Sequence, residues 1–522
     1  MKHDMNTPKI PFEIGDDIPS AFRKIAAERP DDLALIFKER RITWSRLNER
    51  VCRIANALLA KGIKKGDRVA ILSQNSVEYV ELIMGSVTVG ACVVPLPTMS
   101  SSAALGLMME DSEAKLIAVS EAMRELADSF LNRNPQLGSK LRIGLDFNDP
   151  SWSSVTTFLE GVSSDLPEVT LRGGDDFNVI YSSGTTGSPK GIVHTHAIRK
   201  AFTDTFVLFA GGTGLISTPF YSNITMASIL PALRFGTTCV VMEKFDAEEL
   251  LRLVEKEKVN FMTMVPVQYD RILKVESFDQ FDLSSLFIML CMGAPLSLEL
   301  KKKIIEKFPG EFVEGYGITE GGAATSLMTS QFPDKLASVG QPVAGCEVKI
   351  IDDKGKELPA GEIGEIVGRQ LVMSAGYQNL PEENREMLWH DSEEQTFYRT
   401  GDTGHLDEDN FLFLSDRKKD MIISGGLNIY PSDIEKELNQ NEEIHEATVI
   451  GIPSEKWGET PLAFVVLEQG SHCTAAEILE WANSRLGKSQ RIAEVVLRDD
   501  LPRSEVGKIQ KKELRKAYWD QV

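Results

Sequence analysis

A stretch of small and hydroxylated residues with one lysine is the part of the sequence best suited to bind an anion. It covers residues 181–191 and reads Tyr-Ser-Ser-Gly-Thr-Thr-Gly-Ser-Pro-Lys-Gly. The apolar run 177–181 at its start predicts a buried strand. Glycine lets successive backbone N–H groups converge on one anion, and the hydroxyl groups add further donors. The stretch therefore predicts a phosphate-binding loop rather than a flexible linker.

Two well-known nucleotide motifs do not fit this sequence. The Walker loop needs glycine directly before its lysine and Ser or Thr directly after it, whereas Lys190 lies between Pro189 and Gly191. A second glycine-rich segment, 315–320, reads Gly-Tyr-Gly-Ile-Thr-Glu. It has Glu320 where the Rossmann fingerprint needs its third glycine. Both segments require another explanation.

The phosphate loop resembles the signature of the acyl-adenylate-forming superfamily, which includes acyl-CoA synthetases, adenylation domains of peptide synthetases and luciferases. The segments 315–320, 398–402, 421–428 and 502–508 match further motifs of that superfamily in the expected order. The resemblance extends over most of the chain, and the segment 421–428 is similar to the branch that contains the fatty-acid and aryl-acid CoA ligases.

The resemblance implies roles for individual residues around ATP. Glu320 would hold Mg²⁺, which needs only one or two protein carboxylates when it also binds phosphates; taken alone, Glu320 could instead cap a helix. Tyr316 would stack near the adenine, and Asp402 would accept hydrogen bonds from the ribose. Thr185, Glu320 and Lys508 would be catalytic, with Lys508 engaging the carboxylate and the α-phosphate. The residues implied to contact ATP or AMP are Ser182, Ser183, Gly184, Thr185, Thr186, Gly187, Lys190, Gly293, Ala294, Pro295, Glu314, Gly315, Tyr316, Gly317, Thr319, Asp402 and Arg417.

Residues for coenzyme A and for a domain hinge are implied in the same way. In thioester-forming members, the segment 421–428 lines the tunnel for the pantetheine arm, and Gly425 and Gly426 would let the backbone approach it closely. Trp457 would pack on the pantetheine, although Trp is also a common core residue. Lys419 falls on the family's hinge position. Since Lys508 and the paired glycines serve different steps at the same carbonyl, the resemblance implies a rotation about Lys419.

The acyl pocket is also implied by the resemblance. Ser222 stands where relatives most often have His. The implied pocket residues are Tyr221, Ser222, Asn223, Val265, Gln268, Tyr269, Met292, Gly293, Ala294, Gly315 and the run 321–324, which includes Gly322. Most of these residues are small or apolar, and none is an Arg or Lys that could pair with a second carboxylate. We expect a medium-chain or long-chain fatty acid or an aromatic acid, and the sequence does not separate the two.

Alternating apolar runs predict the elements that must position these residues. Strand–helix–strand patterns, the first over 68–95, predict a doubly wound α/β fold, whose ligands bind beyond the carboxyl ends of the strands. A charged break at 416–420 predicts a domain boundary. The predicted division is 1–416 for an N-terminal ATP- and acyl-binding domain, with a β-rich subdomain over 338–416, and 417–522 for a small, mobile α+β C-terminal domain.

Composition and charge indicate which classes of binding partner and which cellular compartment to expect. Lysine and arginine number 57 against 77 acidic residues, which gives a net charge of −20 and predicts no binding to nucleic acid. There is no apolar run long enough for a membrane span, and the first residues contain no apolar segment, so we expect neither a membrane span nor a signal peptide. The 6 cysteines show no metal-binding spacing, which predicts free thiols in a cytoplasmic protein. We expect a monomer or a homodimer.

The reaction implied by the resemblance is that of an ATP-dependent acid–CoA ligase of fatty-acid or aryl-acid metabolism. The carboxylic acid is converted to acyl-AMP with release of pyrophosphate, and coenzyme A then displaces AMP; the implied cofactors are ATP, Mg²⁺ and coenzyme A. Three alternatives stay open: a stand-alone adenylation enzyme that loads a carrier protein, a luciferase-like oxidase, and a non-catalytic nucleotide-binding regulator. The segment 421–428 counts against the first, and the presence of Lys508 and Glu320 counts against the last.

Overall fold

The structure is a computed structural model, and it describes residues 10–182, 189–205, 211–417, 420–424, 427–454, 457–487, 490–504 and 507–519. Many helices have a polar residue as N-cap. For example, the side chains of Asp17, Thr43 and Ser76 each accept a hydrogen bond from a backbone N–H group in the first turn of the helix that follows. The helices are α1 (Ile18–Glu28), α2 (Trp44–Ala60), α3 (Val77–Thr88), α4 (Ser102–Ser112), α5 (Arg124–Leu131), α6 (Pro135–Gly138), α7 (Val155–Phe158), α8 (His196–Asp204), α9 (Asn223–Phe235), α10 (Ala247–Glu257), α11 (Pro266–Leu273), α12 (Leu298–Lys307), α13 (Pro381–Glu386), α14 (Pro431–Leu438), α15 (Ala475–Arg485) and α16 (Lys511–Trp519).

The strands within the described residues build four sheets. Their bounds are β1 (Leu33–Phe37), β2 (Arg40–Thr43), β3 (Arg68–Leu72), β4 (Cys92–Pro95), β5 (Leu116–Val119), β6 (Leu141–Gly144), β7 (Ser153–Ser154), β8 (Asp176–Ser182), β9 (Lys190–Thr195), β10 (Thr213–Ile216), β11 (Thr238–Val241), β12 (Phe261–Met264), β13 (Ile288–Met292), β14 (Glu311–Gly317), β15 (Ala324–Met328), β16 (Gln341–Pro342), β17 (Glu347–Ile351), β18 (Gly364–Arg369), β19 (Leu388–His390), β20 (Thr396–Leu406), β21 (Leu412–Arg417), β22 (Ile422–Ser424), β23 (Leu427–Ile429), β24 (Ile444–Ser454), β25 (Gly458–Leu467) and β26 (Glu494–Leu497).

Two of these sheets form the large N-terminal part. Across the described residues, one has the order β7-β6-β5-β3-β4-β8-β9 and the other the order β16-β15-β14-β13-β12-β10-β11-β1-β2. Their inner strands pair in parallel, and antiparallel pairs occur towards the edges, as in β8 with β9. The predicted doubly wound α/β fold is therefore confirmed.

Helices α1, α2, α3 and α9 lie between the two large sheets. Phe22, Leu47 and Val80 of these helices share one core with Leu35 of one sheet and Ile71 of the other. Alternate residues of the same strands point to the opposite faces of the sheets, where separate apolar layers cover them. Both sheets are thus buried on two sides, as expected for parallel strands.

The β-rich part and the C-terminal part have a sheet each. The sheet of the β-rich part consists of β17, β18, β20, β19 and β21. The sheet of the C-terminal part consists of β23, β22, β25, β24 and β26. Asp416 and Arg417, the first residues of the charged segment 416–420, belong to β21, and Arg417 pairs with Asp402. The next strand, β22, belongs to the C-terminal sheet.

None of the helices within the described ranges combines the length and the apolarity that crossing a membrane requires.

Candidate active site

Four neighbouring parallel strands end at the same edge of the larger sheet, and predicted site residues follow each of them. The strands β10, β12, β13 and β14 pair side by side. They lead into the segments 217–223, 265–268, 293–295 and 318–320, respectively. Because ligands of parallel sheets bind beyond these carboxyl ends, the fold brings the nucleotide and acyl candidates to one edge.

The segment 315–320 starts within β14 and continues into a turn. Gly317 ends the strand, and the next element is β15, which returns antiparallel to β14. The alternative assignment of Glu320 to a helix cap is therefore wrong, since no helix begins in this described stretch.

The predicted phosphate loop connects β8 to β9. Five of the loop candidates lie outside the described residues: Ser183, Gly184, Thr185, Thr186 and Gly187. The structure describes the backbone of Ser182, which is the last residue of β8. Tyr181, just before the loop, is buried and donates its hydroxyl to Asp111 Oδ2 at 2.6 Å. Burial, followed by the hydrogen bond to Asp111, raises the pKa of the Tyr181 hydroxyl above its ordinary value.

Tyr377, which is not among the residues predicted from the sequence, contacts both Lys190 and Glu320. Its hydroxyl donates to Glu320 Oε1 at 2.7 Å. The Lys190 ammonium lies over the Tyr377 ring, 5.0 Å from the ring centroid. Burial first, and then the Glu320 charge, raise the pKa of the Tyr377 hydroxyl, which is therefore a proton donor at neutral pH. The loop lysine and the predicted metal ligand thus share one aromatic neighbour.

Tyr316 and Asp402, predicted to lie at the adenine and the ribose, are in contact. The Tyr316 hydroxyl donates to Asp402 Oδ2 at 2.9 Å. Asp402 is in register with Arg417, the second predicted ribose ligand, of which the structure describes the backbone. Residues of two different sheets therefore come together where the nucleoside was predicted.

A buried polar network supports the turn that carries Glu320. His194 Nε2 lies 2.9 Å from the backbone oxygen of Thr319, and His194 Nδ1 lies 3.3 Å from Arg199 Nη2. Arg199 also donates through Nε to Asn178 Oδ1 at 2.7 Å. Burial, with the Arg199 charge as a second cause, places the pKa of His194 well below its ordinary value. The ring is neutral, so it accepts from Arg199 and donates to Thr319.

The side chain of Glu314, a predicted nucleotide contact, is buried in an ion pair with Lys301. Lys301 also donates to the backbone oxygen of Ser338 at 3.1 Å. Burial raises the pKa of the Glu314 carboxyl to about 6, and the nearby Lys301 opposes that shift. Since the carboxylate is buried and engaged in this pair, the Glu314 side chain is a poor candidate for a contact with a nucleotide.

Gly293, a residue of the predicted acyl pocket, lies directly against Ile224. Gly293 has a φ of +91°, and a Cβ atom there would lie 2.1 Å from Ile224 Cδ1 and 3.8 Å from Val265 Cγ1. A larger residue at 293 would strain the backbone and displace Ile224. Ile224 is absent from the predicted pocket residues; its place on the first turn of α9, two residues after Ser222, was the available signal.

Two predicted pocket residues use their polar groups to hold the backbone. Ser222 caps α9 by accepting from Ile224 N at 3.4 Å. The Gln268 amide accepts from Val265 N at 3.2 Å and donates to Ser217 O at 3.4 Å. Both side chains are therefore poor candidates for reading a polar group on the acid.

Other predicted pocket residues differ in their surroundings. Tyr221 Oη and Asn223 Oδ1 are buried and have no hydrogen-bond partner among the described residues. Tyr269 points into the core behind the sheet, where it packs against Phe312. Met292 ends β13, and Gly322 is buried beside the turn of Glu320.

The loop that carries Lys508 lies against the large domain, close to the predicted acyl-pocket residue Val265. Gly507 has a φ of +75°, and a Cβ atom there would lie 2.6 Å from Val267 Cγ1 and 3.9 Å from Val265 Cγ2. A second contact between the domains joins Lys274 Nζ to His445 Nε2 at 3.2 Å. Lys508 itself is exposed beside this junction.

The coenzyme A and hinge candidates are described only in part. Lys419, Gly425 and Gly426 lie outside the described residues. Trp457 is 49% exposed, which excludes the alternative that it is a core residue.

The residues at the site suit a cation that is shared with phosphates. No group of three or more His, Cys, Asp or Glu within the described part of the chain could hold a metal ion by itself. Glu320 is a single carboxylate with one oxygen held by Tyr377. Mg²⁺ bound to nucleotides keeps several waters and takes one or two protein carboxylates, so Glu320 fits this ion.

Comparison with known proteins identifies the family. The model of the AMP-binding enzyme family matches residues 22–378, and that of the AMP-binding enzyme C-terminal domain matches residues 433–508. The long-chain-fatty-acid–CoA ligase FadD13 of Mycobacterium tuberculosis is 32% identical, with 92% of this chain and 93% of the relative covered. The feruloyl-CoA synthase of an Amycolatopsis species is 31% identical, with 91% and 94% covered.

A solved structure agrees with these relatives. ATP-bound MatB from Rhodopseudomonas palustris has a TM-score of 0.85 to this structure and is 26% identical, with 97% of this chain and 99% of that chain covered. The chain belongs to the AMP-binding enzyme family, within its branch of AMP-forming acyl-CoA ligases.

Proposed function

We propose that the protein joins a carboxylic acid to coenzyme A in two steps at one site. A carboxylate oxygen attacks the α-phosphorus of ATP, the bond to pyrophosphate breaks, and acyl-AMP forms. The sulfur of coenzyme A then attacks the acyl carbonyl, AMP leaves, and the thiol proton passes to solvent. The observation that carries this proposal is the close approach of Gly507 to Val267, since a Cβ atom added to Gly507 would lie 2.6 Å from Val267 Cγ1. It supports a position of the Lys508 loop beside the proposed acyl pocket.

Charge stabilisation and alignment are the main tasks in the first step. Lys508 offsets the negative charge that the carboxylate and the α-phosphate bring together. Lys190 and the donors of the loop 182–187 bind the β- and γ-phosphates as pyrophosphate departs. Glu320 would hold Mg²⁺, which neutralises phosphate charge when bound.

The nucleoside is bound by residues from two sheets. Asp402 accepts hydrogen bonds from the ribose hydroxyls, and Tyr316 lies near the adenine while its hydroxyl holds the Asp402 carboxylate. This role is supported by the 2.9 Å hydrogen bond between the two side chains.

The second step requires the C-terminal domain, residues 417–522, to turn about Lys419. Lys508 leaves the carbonyl, and the segment with Gly425 and Gly426 takes its place beside the pantetheine arm. The half-exposed Trp457 supports this role, because its indole is accessible for packing against an apolar chain.

The substrate we propose is a monocarboxylic acid with an aliphatic or aromatic tail. The apolar side chains of Ile224 and Val265 lie beside Gly293, a residue of the proposed pocket, and they leave no room for a side chain at position 293. The predicted lining contains no Arg or Lys for a second carboxylate. FadD13 is named for a long-chain fatty acid, and the feruloyl-CoA synthase is named for an aryl acid. The assay should therefore include acids of both types.

A cytoplasmic location is proposed from the cysteines. All six are free, and four of them are buried. Burial raises the pKa of the Cys346 thiol to about 11, which keeps it protonated and unreactive. Reduced, buried thiols suit a reducing compartment.

The experiment that tests the proposed function measures pyrophosphate release over a panel of acids, with and without coenzyme A. We expect release with a subset of fatty or aromatic monocarboxylic acids, and formation of the matching acyl-CoA when the thiol is added. A parallel assay replaces coenzyme A with an acyl-carrier protein. Absence of acid-dependent release would rule out the ligase assignment, and transfer to the carrier protein alone would favour the stand-alone adenylation enzyme.

A further inference from the structure

Tyr377 lies between two groups of opposite charge that both serve ATP in the proposed function. Its hydroxyl donates to Glu320 Oε1 at 2.7 Å, and its ring supports the Lys190 ammonium at 5.0 Å. Among the described residues, Tyr377 is the side chain that bonds the Glu320 carboxylate. A direct ion pair between Lys190 and Glu320 would occupy both groups, whereas an intervening tyrosine keeps them apart.

The backbone around Tyr377 is fixed by pairing with β9. Ala375 N donates to Val193 O at 2.8 Å, and Val193 N donates to Gly376 O at 3.0 Å. Gln378 N donates to Gly191 O at 2.7 Å. The segment 375–378 therefore pairs, through an isolated bridge and flanking hydrogen bonds, with β9, the strand that begins with Lys190.

Further hydrogen bonds from Asn384 and Ser374 fix the position of Tyr377 relative to Glu320. The Asn384 side chain accepts from Tyr377 N at 2.6 Å and donates to Tyr377 O at 2.8 Å. Ser374 N donates to the backbone oxygen of Glu320 at 2.7 Å. The hydroxyl of Tyr377 is thus held in place relative to the carboxylate that it bonds.

We propose that Tyr377 is a positioning residue that presents Glu320 to the metal ion and Lys190 to the departing pyrophosphate. The hydroxyl takes one carboxylate oxygen, which leaves the other to face the cation. The ring face attracts the ammonium more weakly than a carboxylate would, so the lysine is released when phosphate arrives. This inference rests on the proposed function, in which Glu320 holds Mg²⁺ and Lys190 binds phosphate.

The test is a Mn²⁺ titration, followed by electron paramagnetic resonance, of the full-length enzyme with α,β-methylene-ATP. Replacement of outer ligands of metal sites weakens metal affinity by about 10- to 100-fold, and we expect Tyr377→Phe to weaken Mn²⁺ binding by at least about tenfold. The matched control is Tyr79→Phe, because Tyr79 is a buried tyrosine of α3 that packs against Phe220, away from Glu320. It should leave Mn²⁺ affinity unchanged.

A second comparison separates the ring from the hydroxyl. Tyr377→Phe keeps the ring under Lys190 and should leave the KM for ATP at saturating Mg²⁺ close to that of the wild type. Tyr377→Leu removes the ring as well and should raise that KM. The KM for the acid should be unchanged in both variants, which a general loss of structure would not produce.

The result that would overturn the inference is Mn²⁺ affinity in Tyr377→Phe equal to that of the wild type. Glu320→Gln shows which part of the account has failed. If Glu320→Gln weakens Mn²⁺ binding and Tyr377→Phe does not, the positioning role is wrong while the metal assignment stands. If Glu320→Gln also has no effect, the metal assignment itself is wrong, and the inference falls with it.

Discussion

The hydroxyl of Tyr316 donates to Asp402 Oδ2 at 2.9 Å, although the two residues lie 86 positions apart and belong to different sheets. This hydrogen bond orients a carboxylate at the place where the ribose is proposed to bind. The contact also ties β14 of the larger sheet to β20 of the β-rich part, so the nucleoside site depends on the packing of these two sheets.

Replacing Tyr316 by Phe should weaken recognition of the ribose. The Tyr316–Asp402 hydrogen bond lies within the protein and only orients the carboxylate for the ribose. If its loss weakens ATP binding by the net contribution of an ordinary hydrogen bond, about 0.5–1.5 kcal/mol, the KM for ATP should rise by about two- to tenfold. The comparison of ATP with 2′-deoxy-ATP in the pyrophosphate-release assay is the direct measurement. The wild type should prefer ATP, Asp402→Ala should lose the preference, and Tyr316→Phe should lie between them. Full preference for ATP in Asp402→Ala would show that this carboxylate does not read the ribose.

A side chain at position 507 should block the first step without blocking the second. In Gly507→Val, the added carbon meets Val267 at 2.6 Å and moves the loop of Lys508 away from the acyl pocket. A displacement on the order of 1 Å can cost about 100-fold in rate, and we expect acid-dependent pyrophosphate release to fall by about that factor. Conversion of supplied acyl-AMP to acyl-CoA should be nearly unchanged.

The matched control for Gly507→Val is Gly470→Val in the same domain. Gly470 has a φ of +90° and no heavy atom within 4 Å of an added Cβ, so it tests backbone strain without the contact. If both variants slow pyrophosphate release equally, strain rather than the position of the loop explains the effect.

His196 should make the protein sensitive to acid. Its ring is 1% exposed, packs edge-on against Phe177, and has no hydrogen-bond partner on either nitrogen among the described residues. Burial lowers the pKa of His196 from 6.5 to about 4. The neutral ring therefore contributes stability that is complete above pH 6.5 and is lost as the pH falls towards 4.

The pKa shift of His196 sets the size of this effect. The free energy of unfolding should fall by on the order of 3 kcal/mol between pH 6.5 and pH 4. His196→Phe removes the titrating group and should flatten the pH dependence of the thermal midpoint between pH 7 and pH 4.5. An equally steep fall in the variant and the wild type would show that other groups control acid unfolding.

The local pattern of the sequence predicts the sheets and the edge that carries the site. Runs such as Arg68–Leu72 and Phe261–Met264 are short, apolar and separated by helices, and burial on both faces requires that composition. The order of the strands then places the segments after β10, β12, β13 and β14 at one edge.

Contacts between distant segments account for what the sequence does not predict. Tyr377 reaches Glu320 only because the segment 375–378 pairs with β9, and nothing in the local sequence indicates that pairing. The pairing of Glu314 with Lys301 of α12 is likewise a tertiary contact. Charged Asp416 and Arg417 resemble a linker by composition, yet they extend β21 because their backbone pairs with β20.

The central claim is that one site performs adenylation and thioester formation in turn, with Lys508 needed for the first step alone. The direct test separates the two half-reactions in Lys508→Ala. We expect acid-dependent pyrophosphate release to be abolished, while supplied acyl-AMP and coenzyme A still give acyl-CoA at close to the wild-type rate. Lys419→Pro at the proposed hinge should show the reverse pattern. Equal loss of both half-reactions in both variants would contradict the account.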